Sequence, residues 1–447
     1  MNQAAAEAIQ AWHALLAADE GAARAQSAWL EESLARRGVT FGGRPMRVFL
    51  RPHLVAREDW RRLRGAGVRL LELAARVARQ AFDGDVSRLC AWLGTPEAEA
   101  RWVRLDPGPP DVLWSRLDAF VTAAGPRFVE INSDAPAGFG YGDRMAEVFT
   151  ELPAFRRLAA EHRLGYERSG PGLVAAVLEA VRGPRPARPR VAIVDWADVR
   201  TRPDQEILRQ EFERHGAEAH LVDPRELQLR GDRLLCPAGP VDVVFRRLVL
   251  SEAVGREDDA RALLEAYARG LAPVVNSFRC RLSEDKAFFA LLTDEAFAPL
   301  MSADERAFVE AVVPWTRRLE ERRTRRAGRA IDLVPWALRE REHLVLKPTH
   351  EYGGQSVFVG WETAPSEWER ALAAALGAPW VLQERVEIPE EAFPVLDERG
   401  LRFEPFKLNV NPFYVGGREV GAVTRGSRSA VINVSAGGGS VPTFVVG

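Results

Sequence analysis

A chain of 447 residues and 49.6 kDa can bury several cores, and the usual domain size predicts about two to four domains. A hydrophobic content of 47% with 28% charged residues reads as globular and soluble, and a formal net charge of -2 leaves no basic excess for nucleic acid. No apolar run reaches the roughly 18 residues of a membrane span, and Met1-Asn2-Gln3-Ala4 leads into an acid-containing amphipathic pattern rather than a secretory signal. Cys90, Cys236 and Cys280 lie far apart with no CxxC pair, which points to buried thiols and a cytoplasmic location.

One bias is sharper. Of 61 Lys+Arg residues only Lys286, Lys347 and Lys407 are lysine; the other 58 are arginine. A compact ammonium on a thin stem fits where a planar guanidinium does not, so the three lysines mark candidate sites.

Residues 1–105 carry a mostly helical pattern, strongest from Glu58 to Phe82, with a short possible strand at Met46–Leu50. From 106 to 182 the character changes. Val112–Val121 and Arg127–Asn132 read as strands around a Gly125-Pro126 turn, followed by a glycine-rich loop, Ser133–Asp143. Side chains alternate along a strand, so Arg116 and Asp118 share a face, as do Glu130 and Asn132. If the strands pair, Asp118, Glu130 and Asn132 form an oxygen cluster suited to Mg²⁺, with Arg116 beside it for a phosphate. The competing reading is a salt-bridged solvent face.

After a Pro/Arg/Gly linker at 183–190, strands at 191–195, 219–222 and 241–245 with a helix at about 203–215 indicate an α/β unit over 190–282 with a parallel sheet. No G-x-G-x-x-G follows its first strand, so a dinucleotide fingerprint is missing. Residues 283–340 read as helical, the arginine-rich 317–329 being a solvated helix face and Lys286 sitting at a helix start with Ser283 as N-cap. From 343 to 447 strands at 343–347, 356–360, 380–384, 406–410 and 418–423 read as one antiparallel sheet with a helix at about 366–376. Lys347 ends the first of these strands, and the loop containing Gly353 and Gly354 could close over phosphates as a lid. The strand Trp380–Glu384 offers Gln383 and Glu384 to an adenine edge and ribose hydroxyls. No internal repeat is present.

Together, Lys347-Pro348, the glycine loop, Gln383-Glu384 and the Glu130-x-Asn132 motif resemble the ATP-grasp family. The metal motif precedes the lysines here, an order similar to the circularly permuted members typified by the synthetase domain of glutathionylspermidine synthase. In that family Arg-x-Asp followed by Glu-x-Asn supplies magnesium ligands and a phosphate-binding arginine, matching Arg116, Asp118, Glu130 and Asn132. The loop after Lys-Pro departs from the family, with His350-Glu351-Tyr352 where an arginine is usual.

The resemblance implies an α/β (α+β) ATP-grasp fold in permuted order. It would have a helical N-terminal region (1–105), a segment with the metal hairpin (106–182), a pre-ATP-grasp domain (190–282) and a nucleotide-binding region (283–447). It implies ATP and Mg²⁺ as cofactors and a carboxylate-amine ligase working through an acyl phosphate. Lys286 and Lys347 would bind phosphates, and Arg425 and Arg428 the acyl phosphate or the acid. The substrates would be small acids and amines of the amino acid, peptide or polyamine class. A kinase on the same site, or a non-catalytic ATP-binding protein, are the alternatives. Either way Glu130 and Lys347, remote in sequence, should lie within roughly 10 Å.

Overall fold

The computed structural model describes residues 2–105, 111–181, 186–350, 356–432 and 438–447. Its largest sheet has eight strands, and its main path runs His53–Ala56, Gly439–Val446, Arg418–Ser427, Gly400–Val415, Trp114–Thr122, Gly125–Asn132. Glu390–Asp397 pairs with Gly400–Val415, and Leu164–Gly165 with Gly439–Val446. Neighbours are antiparallel except for the parallel contact between His53–Ala56 and Gly439–Val446. This sheet unites the 114–132 hairpin with strands from beyond residue 390, so the two ends of the chain share one structure.

The far face of that hairpin is apolar. Leu117, Ala119, Phe128 and Ile131 are buried in one core with Leu63, Leu70 and Val77 of the helix Arg57–Ala81, whose apolar residues recur at helical spacing. The near face is left for polar side chains.

Two smaller sheets flank this one. In the first, Val274–Val275, Val243–Arg246, Arg190–Val194 and Glu218–Val222 are all parallel, as the buried strand pattern predicts, and the helix Arg202–Arg214 packs on it. In the second, Thr316–Arg318, Trp380–Glu384, Leu344–Pro348 and Phe358–Val359 are antiparallel. Leu344, Leu346 and Leu382 of this sheet join Trp368 and Leu372 of the helix Pro365–Ala375 in a separate core. Among the described residues no helix is long and apolar enough to cross a membrane.

Several expectations need correction. The strands of 343–447 do not form one sheet but divide between two, because Leu344–Pro348 pairs with Trp380–Glu384 while Gly400–Val415 pairs with the hairpin and with Arg418–Ser427. Residues 46–50 contribute only a bridge from Val48 to Ser440; the true strand is His53–Ala56. The 317–329 stretch is not a helix but β-structure, the hairpin Arg323–Arg326/Arg329–Asp332 turning through Ala327 and Gly328, both at positive φ. The glycine loop is shorter than expected, since Phe139–Glu151 is a helix.

That helix starts without a cap of its own. Asp204, on the neighbouring helix, accepts from the backbone N–H of Gly138 (3.0 Å) and Tyr141 (2.8 Å) and so replaces one. The close approach requires Gly140, where an added Cβ would sit 2.7 Å from the carbonyl oxygen of Asp204. Gly140→Ala should therefore destabilise the protein by about 1–3 kcal/mol, despite the helix propensity of alanine. Urea unfolding at constant m-value measures this, and an unchanged midpoint would contradict the packing described.

Candidate functional site

The hairpin pairs Arg116 with Asn132 and Asp118 with Glu130, so all four polar side chains stand on one face. A bulge follows: Asp118 opposes Glu130, but Ala119 already opposes Phe128, leaving Val129 as the extra residue. Next to the hairpin, Gly400–Val415 adds Asn409 and Asn411, and Arg418–Ser427 adds Arg425 opposite Asn409.

Asp118 is the centre of this face. Its Oδ1 accepts from Arg116 Nε (3.0 Å), Asn132 Nδ2 (3.2 Å) and Asn411 Nδ2 (3.0 Å), while its Oδ2 takes the guanidinium of Arg425. Burial opposes ionisation, but the two arginines outweigh it and hold the carboxyl below its ordinary value. Arg425 is fixed further by Asn411 Oδ1 (2.8 Å) and Asn409 Oδ1 (2.7 Å).

The four-stranded antiparallel sheet faces this cluster across a cavity of about 460 Å³, within the roughly 300–1,000 Å³ common for ligand sites. Arg116, Asp118, Glu130, Asn132, Lys286, Lys347, Gln383, Glu384 and Arg425 all line it. Lys347 Nζ donates to Gln383 Oε1 (2.7 Å), and Gln383 passes the interaction on to Thr316 Oγ1 (3.2 Å). Burial pushes the Lys347 ammonium down to about 8, with Glu130 opposing and Lys286 reinforcing the shift. Lys286 Nζ lies 3.1 Å from Glu130 Oε1. The two lysines and Glu130 thus meet in one cavity. Lys407 is elsewhere, 3.4 Å from Glu390 on the sheet rim.

Not every expected residue arrives as foreseen. Ser283 lies inside the short helix Cys280–Glu284 and is not an N-cap; Lys286 occupies the break before the next helix, Phe288–Thr293. Arg428 is outside the cavity, 59% exposed and ion-paired with Glu404. Its strand has already ended at Ser427, so the alternation that places Arg425 does not extend to it. Glu384 lines the cavity but is ion-paired with Arg326. Gly353 and Gly354 lie outside the described residues.

Other site residues escaped the sequence reading. Asn409 and Asn411 carry the same alternation signal as Glu130 and Asn132 and could have been found by it. Glu284 could not: its Oε2 accepts from the backbone N–H groups of Ser133 (2.9 Å) and Asp134, and burial, with Asp134 next, pushes it up to about 7. Asp134 pairs with the fully buried Arg246, and Arg247 Nη1 donates to Pro136 O (2.9 Å). Asn276 binds Leu113 N (2.7 Å), Trp114 O (2.7 Å) and Ser133 O (2.8 Å), clamping both ends of the hairpin.

Chemically, the face offers two carboxylates and an amide oxygen, a donor set suited to a hard cation. Among the described residues no group of three or more His, Cys, Asp or Glu side chains is placed to hold a metal. Glu130 and Asn132 are the more available pair, because Asp118 would have to release one of its present donors. Around them, Lys286, Lys347, Arg116 and Arg425 supply positive charge for an anionic ligand. Beyond Lys347, Val345, Val357, Val359, Trp361, Val386 and Ile388 form an apolar slot.

No protein-family profile and no curated protein matches the chain. Among solved structures it is similar to a glutathione synthetase-like effector from Globodera pallida in its apo form, with a TM-score of 0.61 and 13% identity over 96% of this chain and 98% of that one. A putative gamma-glutamylcysteine synthetase from Methylobacillus flagellatus matches more loosely, with a TM-score of 0.41 and 10% identity over 80% and 82% of the two chains. At such identity the first likeness speaks for architecture alone: the chain has a glutathione synthetase-like fold.

Proposed function

We propose that this protein is an ATP-dependent carboxylate-amine ligase of the ATP-grasp type, with the ATP-grasp elements in circularly permuted order. The observation that carries the proposal is the meeting of Lys286, Lys347 and Glu130 in one cavity between two antiparallel sheets.

In this reading the adenine enters the slot of Val345, Val359 and Trp361, and Lys347 and Lys286 bind the phosphates. Glu130 and Asn132, joined by Asp118, would hold Mg²⁺, which supplies charge neutralisation at the β- and γ-phosphates. Arg116 and Arg425 orient the acid and the transferring phosphoryl group. A carboxylate oxygen of the acid attacks the γ-phosphorus, and ADP departs with the electrons of the broken P–O bond. The amine nitrogen then attacks the acyl carbon, phosphate leaves, and the amide remains after loss of a proton. Enclosure between the sheets keeps water from the acyl phosphate.

Mutation of the metal-holding residues tests the site. Glu130→Gln and Asp118→Asn should each reduce Mg²⁺-dependent ADP release by at least about 100-fold, since removing a single charge-stabilising group costs roughly that much. Wild-type turnover in either variant at saturating Mg²⁺ would remove that residue from the site. Mass spectrometry of the products separates ligase from kinase, a condensed product being expected rather than a phosphorylated one.

The state of Lys347 gives a pH signature. Below about 8 the ammonium is charged and can pair with phosphate; above it the charge is lost. The Kd for ATP should therefore be flat below pH 8 and rise by about tenfold towards pH 9.5, about 1.4 kcal/mol. Lys347→Arg should weaken binding at pH 7 by about tenfold or more, because a fork does not fit beside Gln383, and should abolish the rise. Calorimetry across this range decides; a wild-type Kd independent of pH would exclude Lys347 as a phosphate ligand.

A further inference from the structure

The cavity continues past Arg116 and Arg425 into a recess whose walls can be followed residue by residue. Arg116 Nη1 donates to Ala137 O (3.0 Å), and the next residue, Gly138, lies against Val423 and the ring of Phe413. Val423 is two residues before Arg425 on its strand and so shares its face. Tyr141 lines the cavity with its hydroxyl donating to Thr40 O at 2.6 Å, and the adjacent Phe41 and Met46 line it as well.

The chemistry of these walls is uniform. Among the described cavity-lining residues, the charged side chains are Arg116, Asp118, Glu130, Asp134, Glu284, Lys286, Lys347, Glu384 and Arg425; of these Asp134 is paired with the buried Arg246, Glu284 accepts from the backbone of Ser133, and Lys286 is paired with Glu130. The recess itself is lined by Phe41, Met46, Ala137, Gly138, Tyr141 and Val423, with the neutral Thr201 and Ser440 nearby. Its polar groups are already engaged, Tyr141 with Thr40 and Ala137 with Arg116. Arg247, behind Pro136, is buried: its Nη1 donates to Pro136 O, and its Nη2 lies 3.9 Å from the buried carboxylate of Asp204. An ionised substituent in this recess would lose its water and find no counter-charge.

Resting on the ligase reading, we propose that the acid substrate is one with a neutral, apolar side chain, which the recess receives while its carboxylate lies at Arg116 and Arg425. Acids with a second charge at that end, such as glutamate, lysine or glutarate, are excluded by desolvation.

Hydroxylamine tests this without knowledge of the natural amine, because it attacks an acyl phosphate at carbon, releasing phosphate and leaving a hydroxamate. The full-length protein with ATP, Mg²⁺ and hydroxylamine is given L-leucine, L-phenylalanine and 4-methylpentanoate against L-glutamate, L-lysine and glutarate. Neutral apolar acids should exceed the charged ones in kcat/KM by about tenfold or more. A second measurement separates failure of this proposal from failure of the ligase reading: calorimetric titration of the same acids into protein loaded with Mg²⁺ and a non-hydrolysable ATP analogue. If no hydroxamate forms from any acid, the ligase reading fails, and binding still decides the recess. Preferential binding of the apolar acids supports the proposal; equal or tighter binding of the charged ones, or binding of none, overturns it. Phe41→Arg, which places a cation at a half-buried wall position, should shift the ratio of glutarate to 4-methylpentanoate binding by about tenfold in favour of glutarate. An unchanged ratio, with the nucleotide analogue still bound, also overturns it.

Discussion

A carboxylate can remain ionised out of water only where cations and hydrogen-bond donors surround it, and Asp118 meets that condition by drawing on four strands. Arg116 comes from its own strand, Asn132 from the next, Asn411 from Gly400–Val415 and Arg425 from Arg418–Ser427. The contacts work only in one register: Arg116 opposite Asn132, Asp118 opposite Glu130, Asn409 opposite Arg425. A slip by one residue would turn Leu117 and Ile131 towards the cavity and Asp118 towards the apolar helix Arg57–Ala81. The ionic cluster and the hydrophobic core therefore specify the same sheet from opposite faces.

The parallel sheet contributes little to the cavity wall yet governs its shape. The two residues Arg246 and Arg247, at the C-terminal end of Val243–Arg246, reach Asp134 and Pro136, and Asn276, just beyond Val274–Val275, holds Trp114 and Ser133. Parallel α/β sheets present their ligand crevices at the carboxyl ends of the strands. Here those ends grip the loop that leaves the hairpin. Because Arg246 and Asp134 are both buried, neither can be lost singly without stranding a charge. The loop is thereby held at the height that lets Ala137 receive Arg116.

How much of this was legible follows from how local each signal is. The hairpin, the helix Arg202–Arg214 and the strand Trp380–Glu384 were readable because alternation, turn residues and helical spacing act over a few positions. The division of the C-terminal strands between two sheets was not, since strand patterning says nothing about which partner a strand chooses. Arginine misled twice for one reason. In a chain with 58 of them, charge does not distinguish a solvated helix from the strands around Arg317, which is buried and bonded to Thr324 Oγ1 at 2.7 Å. Nor does it distinguish Arg425 in the cluster from Arg428 on the surface. Lysine was the better guide, two of three lining the cavity. Glu284 reaches its place by tertiary packing alone and left no local trace.

Charges of both signs crowd the cavity, and their pairing explains how such a site can exist before any ligand enters. Lys286 rests on Glu130, Arg425 on Asp118, and Lys347 on the neutral amide of Gln383, where burial has already brought its ammonium down to about 8. An anion arriving alone would pull Lys286 from Glu130 and leave that carboxylate uncompensated. A divalent cation alone would take Glu130 from Lys286. Under the proposed reaction, metal and nucleotide arrive together, and the Lys286–Glu130 pair is exchanged for two: Glu130 with the metal, Lys286 with phosphate. Neither Glu130 nor Lys286 loses its partner without gaining another, which matters because an uncompensated charge is costly in a low-dielectric cavity. Among the described residues Lys347 has no ion-paired carboxylate to give up: its Nζ donates to the neutral amide of Gln383, and under the proposed reaction the phosphate supplies its counter-charge.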